Sequence, residues 1–253
     1  MRFSKLWEQP YFHLQIKVTQ ETPCKLPYYG TIIRGWLGDA FYASEKTKIF
    51  KNPDIDVRPF FHYTISNGEA HYISIIFAGD ATRLAREFVE CISEKCITHI
   101  GGINAKIEVI KLEEKKIEIL PARKVLEIKF VSPTTIVENG KLAIRAPSFP
   151  LIVKALLRSV NRYSKYYFKK AYPLHSKTSP ECWHAEIQNF EIYPFSWEHH
   201  TMDGRRLFMR GITGTVNYKV ARATHELMKI LALAQVFQIG KWLSYGFGKL
   251  EVK

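Results

Sequence analysis

Cysteine is scarce in this sequence, with four residues (Cys24, Cys91, Cys96 and Cys182) among 253. Cys91 and Cys96 stand five apart in a segment that reads as helix, and no second pair completes a zinc-ligand pattern. A disulfide scaffold and a structural metal therefore find no support, and reduced buried thiols are expected. Long apolar runs are missing too. None approaches the roughly 20 residues a membrane-spanning helix needs. Met1-Arg2-Phe3-Ser4-Lys5 opens the chain with no apolar signal core behind it. The expectation is a cytoplasmic protein with no cofactor.

Negative charge is missing from one half. Up to Leu120 there are 16 basic and 15 acidic residues, and beyond it 21 basic against 9 acidic. The formal net charge of +13 thus sits almost wholly in the second half. Same-sign charge on one domain costs self-repulsion, so the asymmetry points to a polyanionic partner, of which nucleic acid is the commonest. No carboxylate falls from Leu151 to Lys177. Within that gap Lys154, Arg158, Arg162, Lys165 and Lys169 recur every three or four residues and share one face of a helix. With no intrahelical carboxylate to relieve them, they read as a phosphate-tracking stripe. Tyr163, Tyr166 and Tyr167 are interleaved, either as base-stacking groups or as core.

What is present reads as one unit used twice. Alternation over Tyr11 to Thr19 (Phe12, Leu14, Ile16, Val18) predicts a strand, and Ile33, Trp36, Leu37 and Phe41 predict a helix from Gly30 to about Ala43. Phe60 to Ile65 and His71 to Phe77 form a hairpin about Asn67-Gly68. Asp80 is the expected N-cap of a helix carrying Leu84, Phe88 and Ile92. A strand through Ile107, Val109 and Leu112 follows. The second half repeats the order. It has a strand over Val125 to Val131, a helix over Ser148 to about Phe168 and strands at Ala185 to Tyr193 and Gly211 to Tyr218 with a long connection between them. A helix from Ala221 to about Phe237 and a terminal strand from Gly246 to Val252 complete it. Two βαββαβ units predict an α+β protein of two tandem ferredoxin-like domains, 1–120 and 121–253.

The loop Gln238-Ile-Gly-Lys-Trp-Leu-Ser-Tyr-Gly-Phe-Gly-Lys249 places three glycines between helix and strand. Gly240, Gly246 and Gly248 would let the backbone approach a phosphate chain, with Lys241 and Lys249 beside it. It is neither a dinucleotide fingerprint, which follows a strand and opens a helix, nor a Walker loop. An RRM-type protein would carry an aromatic RNP motif on a central strand, and Gly246-Phe-Gly248 echoes one only at the chain end.

This loop resembles the glycine-rich loop of the RAMP superfamily, the RNA-binding proteins of CRISPR systems. Within it the chain is most similar to the Cas six family. Leu26-Pro-Tyr-Tyr-Gly-Thr-Ile-Ile-Arg-Gly-Trp-Leu-Gly38 resembles the run into that family's first helix. Phe130-Val-Ser-Pro-Thr134 resembles its second opening strand, and Arg205-Arg-Leu-Phe-Met-Arg-Gly-Ile-Thr-Gly214 its basic hairpin strand. The resemblance implies RNA-binding roles for Arg34, Lys154, Arg158, Arg162, Lys165, Arg205, Arg206, Gly240, Lys241, Ser244, Gly246 and Gly248. It also implies a metal-independent endoribonuclease that cleaves CRISPR repeat RNA. In that chemistry the 2′-hydroxyl attacks the adjacent phosphate, leaving a 2′,3′-cyclic phosphate and a 5′-hydroxyl. Such a reaction needs a base, an acid and a cation for the phosphorane charge.

Many members of that family carry a histidine in or just after the first helix, whereas this chain has none between Gly30 and Phe61. Asp39 stands in that helix with no role assigned. Three readings stay open. Lys46 or Lys48 acts with Tyr28 or Tyr29; or His13, His199 or His200 reaches the site from another segment; or the protein binds guide RNA without cutting, inside a CRISPR effector complex.

Overall fold

A computed structural model describes residues 4–22, 28–42, 57–67, 70–93, 97–138, 140–168, 183–201 and 204–253. After a short helix α1 (Ser4–Glu8), the first half runs β1 (Tyr11–Gln20), α2 (Gly30–Tyr42), β2 (Phe60–Ser66), β3 (His71–Ala78), α3 (Arg83–Ser93), β4 (Ile97–Ile100) and β5 (Ile103–Lys115). Its sheet has the order β2-β3-β1-β5-β4, with antiparallel neighbours throughout. The alternation in β1 does what its period requires, since Leu14, Ile16 and Val18 are buried against the helices. Leu84, Phe88 and Ile92 are the buried stripe of α3.

The second half runs β6 (Val125–Thr134), a minor hairpin of β7 (Val137–Glu138) and β8 (Lys141–Leu142), α4 (Phe149–Tyr167), β9 (Ala185–His200), β10 (Arg206–Val220), α5 (His225–Ala232) and β11 (Leu250–Val252). Its sheet has the order β11-β6-β10-β9. In both halves the first strand of the unit lies between the third and the fourth, with the second outside the third. That is the ferredoxin-like arrangement, present twice.

Four expectations about elements are corrected. Asp80 does not cap α3; it lies inside a 3-10 turn, Gly79–Thr82, that precedes it. A fifth strand, β4, joins the first sheet through a hairpin at Gly101-Gly102, whose φ values are 63° and 79°. The expected long connection in the second half is mostly strand, because β9 and β10 pair from Ala185↔Val220 to His200↔Arg206. The first part of β9 is mostly exposed, Phe195 and Trp197 at its far end pack on a small cluster with Tyr28 and Phe247, and Pro194 is tolerated because β9 is an edge strand. Finally, α5 is short. Thr224 caps it, accepting the Leu227 N–H at 3.2 Å, and it passes into a 3-10 turn at Leu233–Gln235.

The two sheets share one continuous apolar core, which joins Leu14 and Phe77 to Phe130, Val160 and Phe237. Phe61 of β2 packs on Tyr163 of α4 at 4.8 Å between ring centroids and on Phe237 at 5.6 Å. The Tyr163 hydroxyl donates to the Pro59 carbonyl at 2.8 Å and that of Tyr167 to Val57 at 2.9 Å. These two interleaved tyrosines are therefore core. Gln235 and Glu118 exchange two hydrogen bonds, and the Trp7 indole donates to the Lys229 carbonyl at 2.9 Å. Each such bond contributes about 1 kcal/mol, and together they hold the halves in one relation. Among the described residues no helix is long and apolar enough to cross a membrane.

Candidate nucleic-acid interface

The glycine loop, 240–248, is built against both halves. Toward the second half, Lys241 N–H donates to the Thr135 carbonyl at 3.2 Å and Gly248 N–H to Pro133 at 2.9 Å. Toward the first, Tyr28 donates to the Tyr245 carbonyl at 2.9 Å, and His62 Nε2 donates to the Ser244 carbonyl at 3.1 Å. Gln238 Nε2 donates to the carbonyl of His62 at 2.5 Å. His62 is fully enclosed. Burial, and secondarily the Arg34 charge, push its pKa down to about 4, so the ring is neutral with its proton on Nε2.

The glycines at 246 and 248 have a different cause from the one expected. Both are buried, at φ 82° and 87°. A Cβ on Gly248 would lie 2.0 Å from the Ile239 carbonyl oxygen, and one on Gly246 would lie 2.7 Å from the Tyr28 hydroxyl. Their close approach is to the protein itself. Gly240 is exposed and sits at the mouth of the loop, although a Cβ there would meet the Thr135 carbonyl oxygen at 2.2 Å. Positive φ at Gly246 and Gly248 also explains why the terminal strand begins at Leu250.

Between the loop, α2, the head of β2 and α4 lies a cleft of about 410 Å³. Four cations line it: Arg34 from α2, Arg58 from the approach to β2, Arg162 from α4 and Lys241 from the loop. No carboxylate is among the described residues that line it. Burial first, and then the charge of Arg34, lower the pKa of Arg58. A second hollow of about 210 Å³ continues between α4 and the loop, where Arg158 joins Arg162 and Lys241. Of the helical stripe, then, Arg158 and Arg162 face the loop. Lys154 and Lys165 are exposed on α4, and Lys169 lies outside the described residues.

Arg34 sits over the face of Tyr245, its guanidinium carbon 4.4 Å from the ring centroid, and its Nε is buried without a hydrogen-bond partner. His199 meets the same ring in a T-shaped contact at 5.8 Å. Partial burial first, then the charges of Arg34 and His200, lower the His199 pKa. The result is a neutral imidazole beside a cation, at the edge of a basic cleft. That combination can accept a proton and hold an anion.

The other sequence-derived candidates scatter. Tyr28 is buried, and burial raises its hydroxyl far above the ordinary range. Tyr29 faces the first core and stacks on His71 with centroids 3.6 Å apart. His200 is exposed beside Glu198, at 3.3 Å. The expected loop position of the histidine pair is corrected, since both residues end β9. Arg205 and Arg206 lie at the exposed turn into β10, with Arg206 Nε 3.7 Å from Glu198. His13 lines a different groove, with Tyr63 and Lys249, where burial lowers its pKa to about 4. Lys249 itself is buried, its ammonium bonded to the Ala234 and Gln235 carbonyls at 2.8 and 2.9 Å, so it does not flank the cleft. Lys46 and Lys48 lie outside the described residues.

Three residues of the site escape sequence reasoning. Arg58 and His62 sit at a strand head with no pattern around them. Tyr245 is visible only as a loop letter between glycines.

Residues 128–250 match the family model of the CRISPR-associated endoribonuclease Cas6. No curated protein matches the sequence. Among solved structures, Thermus thermophilus Cas6 aligns with TM-score 0.66 at 15% identity, covering 97% of this chain and 99% of that one. A Cas6 product complex aligns with TM-score 0.67 at 16% identity, over 97% and 99%. A Cas6-related protein from Pyrococcus furiosus gives TM-score 0.52 at 13% identity, over 96% and 98%. At such identities the structural likeness is one of fold, and it runs the length of the chain. The family match spans the part of the chain that carries the glycine loop, so that part is similar to Cas6 in sequence and the whole chain is similar to Cas6 in fold.

Proposed function

We propose that the protein binds CRISPR repeat RNA in the basic cleft and cleaves it by attack of the RNA's own 2′-hydroxyl. The convergence of Arg34, Arg58, Arg162 and Lys241 on one carboxylate-free cleft, with His199 at its edge, carries the reading. The Cas6 family match over residues 128–250 supports it, as do similar folds solved as Cas6 product and substrate-mimic complexes.

In the proposed reaction neutral His199 takes the proton from the 2′-oxygen, which bonds to phosphorus as the P–O5′ bond breaks. Arg34 compensates the charge of the phosphorane. The leaving 5′-oxygen takes a proton from a group for which Lys46 and Lys48, following α2 in sequence, are the candidates. Products are a 2′,3′-cyclic phosphate and a 5′-hydroxyl. No metal takes part.

The test is incubation of the wild-type protein with its repeat RNA in EDTA, followed by analysis of the ends. Cyclic phosphate and 5′-hydroxyl ends are expected, with the rate falling well over about tenfold in His199→Ala. Tight binding that leaves the RNA intact, with and without divalent metal, replaces this reading with a guide-RNA-holding subunit of an effector complex. The engagement of the Tyr28 hydroxyl by Tyr245, and the absence of histidine from α2, favour that second reading.

A further inference from the structure

Among the described residues, Trp242 is the only one besides glycine with positive φ, at φ 63° and ψ 26°. A bulky L-residue held there is strained by about 1–3 kcal/mol. Asn and Asp offset that strain by bonding locally through a short polar side chain, which an indole cannot do. The loop uses glycine wherever else it takes positive φ, at Gly240, Gly246 and Gly248. At position 242 it keeps both the strain and the indole. The backbone does not require the side chain, because the Trp242 carbonyl accepts the Tyr245 N–H at 2.9 Å whatever the residue.

The cause therefore lies where the indole points. One side packs on the small cluster of Tyr28, Met209, Tyr245 and Phe247, and it meets Tyr245 in a T-shaped contact at 6.0 Å and 72°. The residue is only part-buried, and it lines the basic cleft together with Lys241, Arg34 and Tyr245. An aromatic side chain in a cleft that cations also line suits a nucleobase and its own phosphate. A cleft of about 410 Å³ has the scale of a site for one small ligand. Within a duplex each base face is covered by its neighbours, so only an unpaired base can present one.

We infer that Trp242 is a nucleobase platform: its indole stacks on one unpaired base of the RNA, beside the phosphate held by Arg34 and Lys241. This rests on the cleft being the RNA site, and its test separates the two.

The probe is single-stranded decaadenylate, with a blunt RNA duplex as control. The chain has five tryptophans, so the difference in fluorescence quenching between wild type and Trp242→Phe isolates this one. Decaadenylate should quench the Trp242 component and the duplex should not. Trp242→Gly, which relaxes the backbone, should bind decaadenylate about 5- to 150-fold more weakly, the scale of one base–aromatic stack. Its slope of log affinity against log salt should match wild type, since no cation is removed. Trp242→Phe should recover most of the affinity. Equal quenching in wild type and Trp242→Phe overturns the platform, as does wild-type affinity in Trp242→Gly. If Arg162→Glu and Lys241→Glu also bind as wild type, the cleft reading falls with it. If those two lose binding while the Trp242 variants keep it, the platform alone falls.

Discussion

Arg34 and His199 meet through the ring of Tyr245. The guanidinium lies on one face of Tyr245 and the imidazole contacts the same ring, close enough for the Arg34 charge to lower the His199 pKa. In the proposed reaction one residue thereby acts in two ways, as an anion clamp and as a control on the neighbouring proton carrier.

Replacing Arg34 with Ala should lower the cleavage rate about 100- to 1,000-fold, as for removal of a cation that stabilises transition-state charge. The shape of the pH profile gives the sharper readout. Without Arg34 the His199 pKa rises, so the acid limb of the rate profile moves to higher pH. Arg34→Lys should restore the limb better than the rate, because lysine supplies charge without a planar face on Tyr245. An unmoved limb in Arg34→Ala would separate the two residues.

Charge reversal at Arg158 and Arg162 should weaken RNA binding and flatten its dependence on salt, by about one unit of slope for each phosphate no longer engaged. The same change at Lys154, exposed on α4 away from the loop, should do less. A salt titration of the three variants decides it. If affinity is unchanged in the Arg158 and Arg162 variants, the stripe is a solvated helix face.

Gly248→Val should unfold the loop before it blocks any ligand. The new Cβ would meet the Ile239 carbonyl at 2.0 Å in a left-handed backbone. A loss of about 3 kcal/mol or more is expected, a fall in Tm of roughly 6–12 °C. A Tm equal to wild type would contradict the packing that ties Gly248 to Ile239.

The fold was legible because both halves obey simple periods. The alternation of β1 and the four-residue recurrence of α3 are geometric consequences of burying one face. The full reach of β9 was not, since its pairing is a backbone matter, Pro194 interrupts the run, and most side chains before Phe195 face water. The site was readable only in part. Arg158 and Arg162 stand out as like charge in a stretch without carboxylates, and Lys241 as a cation among glycines. His62 does not, because its role is to hold a carbonyl 182 residues away. The glycines read as space for a ligand, whereas Gly246 and Gly248 are space for the protein.

Acidification should weaken the fold through His62. Its folded pKa, about 4, lies below the 6.5 of an unfolded histidine, so the folded state demands the neutral ring. The stabilisation is fully present above pH 6.5 and is lost as pH falls toward 4, by about 3 kcal/mol in all. Denaturant melts across that window should show the decline, partly shared with His13, which is depressed in the same direction. His62→Gln, whose amide can still donate to Ser244, should show a shallower decline. An identical slope in wild type and variant would assign the acid sensitivity elsewhere.

The hydrogen bonds from Tyr28 and His62 to the loop have a thermodynamic corollary. The loop belongs to the second half of the chain, yet its shape is set in part by donors from the first. Any ligand that selects this loop shape also selects the docked arrangement of the halves, by the amount its affinity differs between docked and parted states. On the proposed reading, RNA and the first half are thus heterotropic partners of the same segment. A fragment holding most of the positive charge would bind RNA by attraction alone, without the geometry that makes one phosphate different from the next.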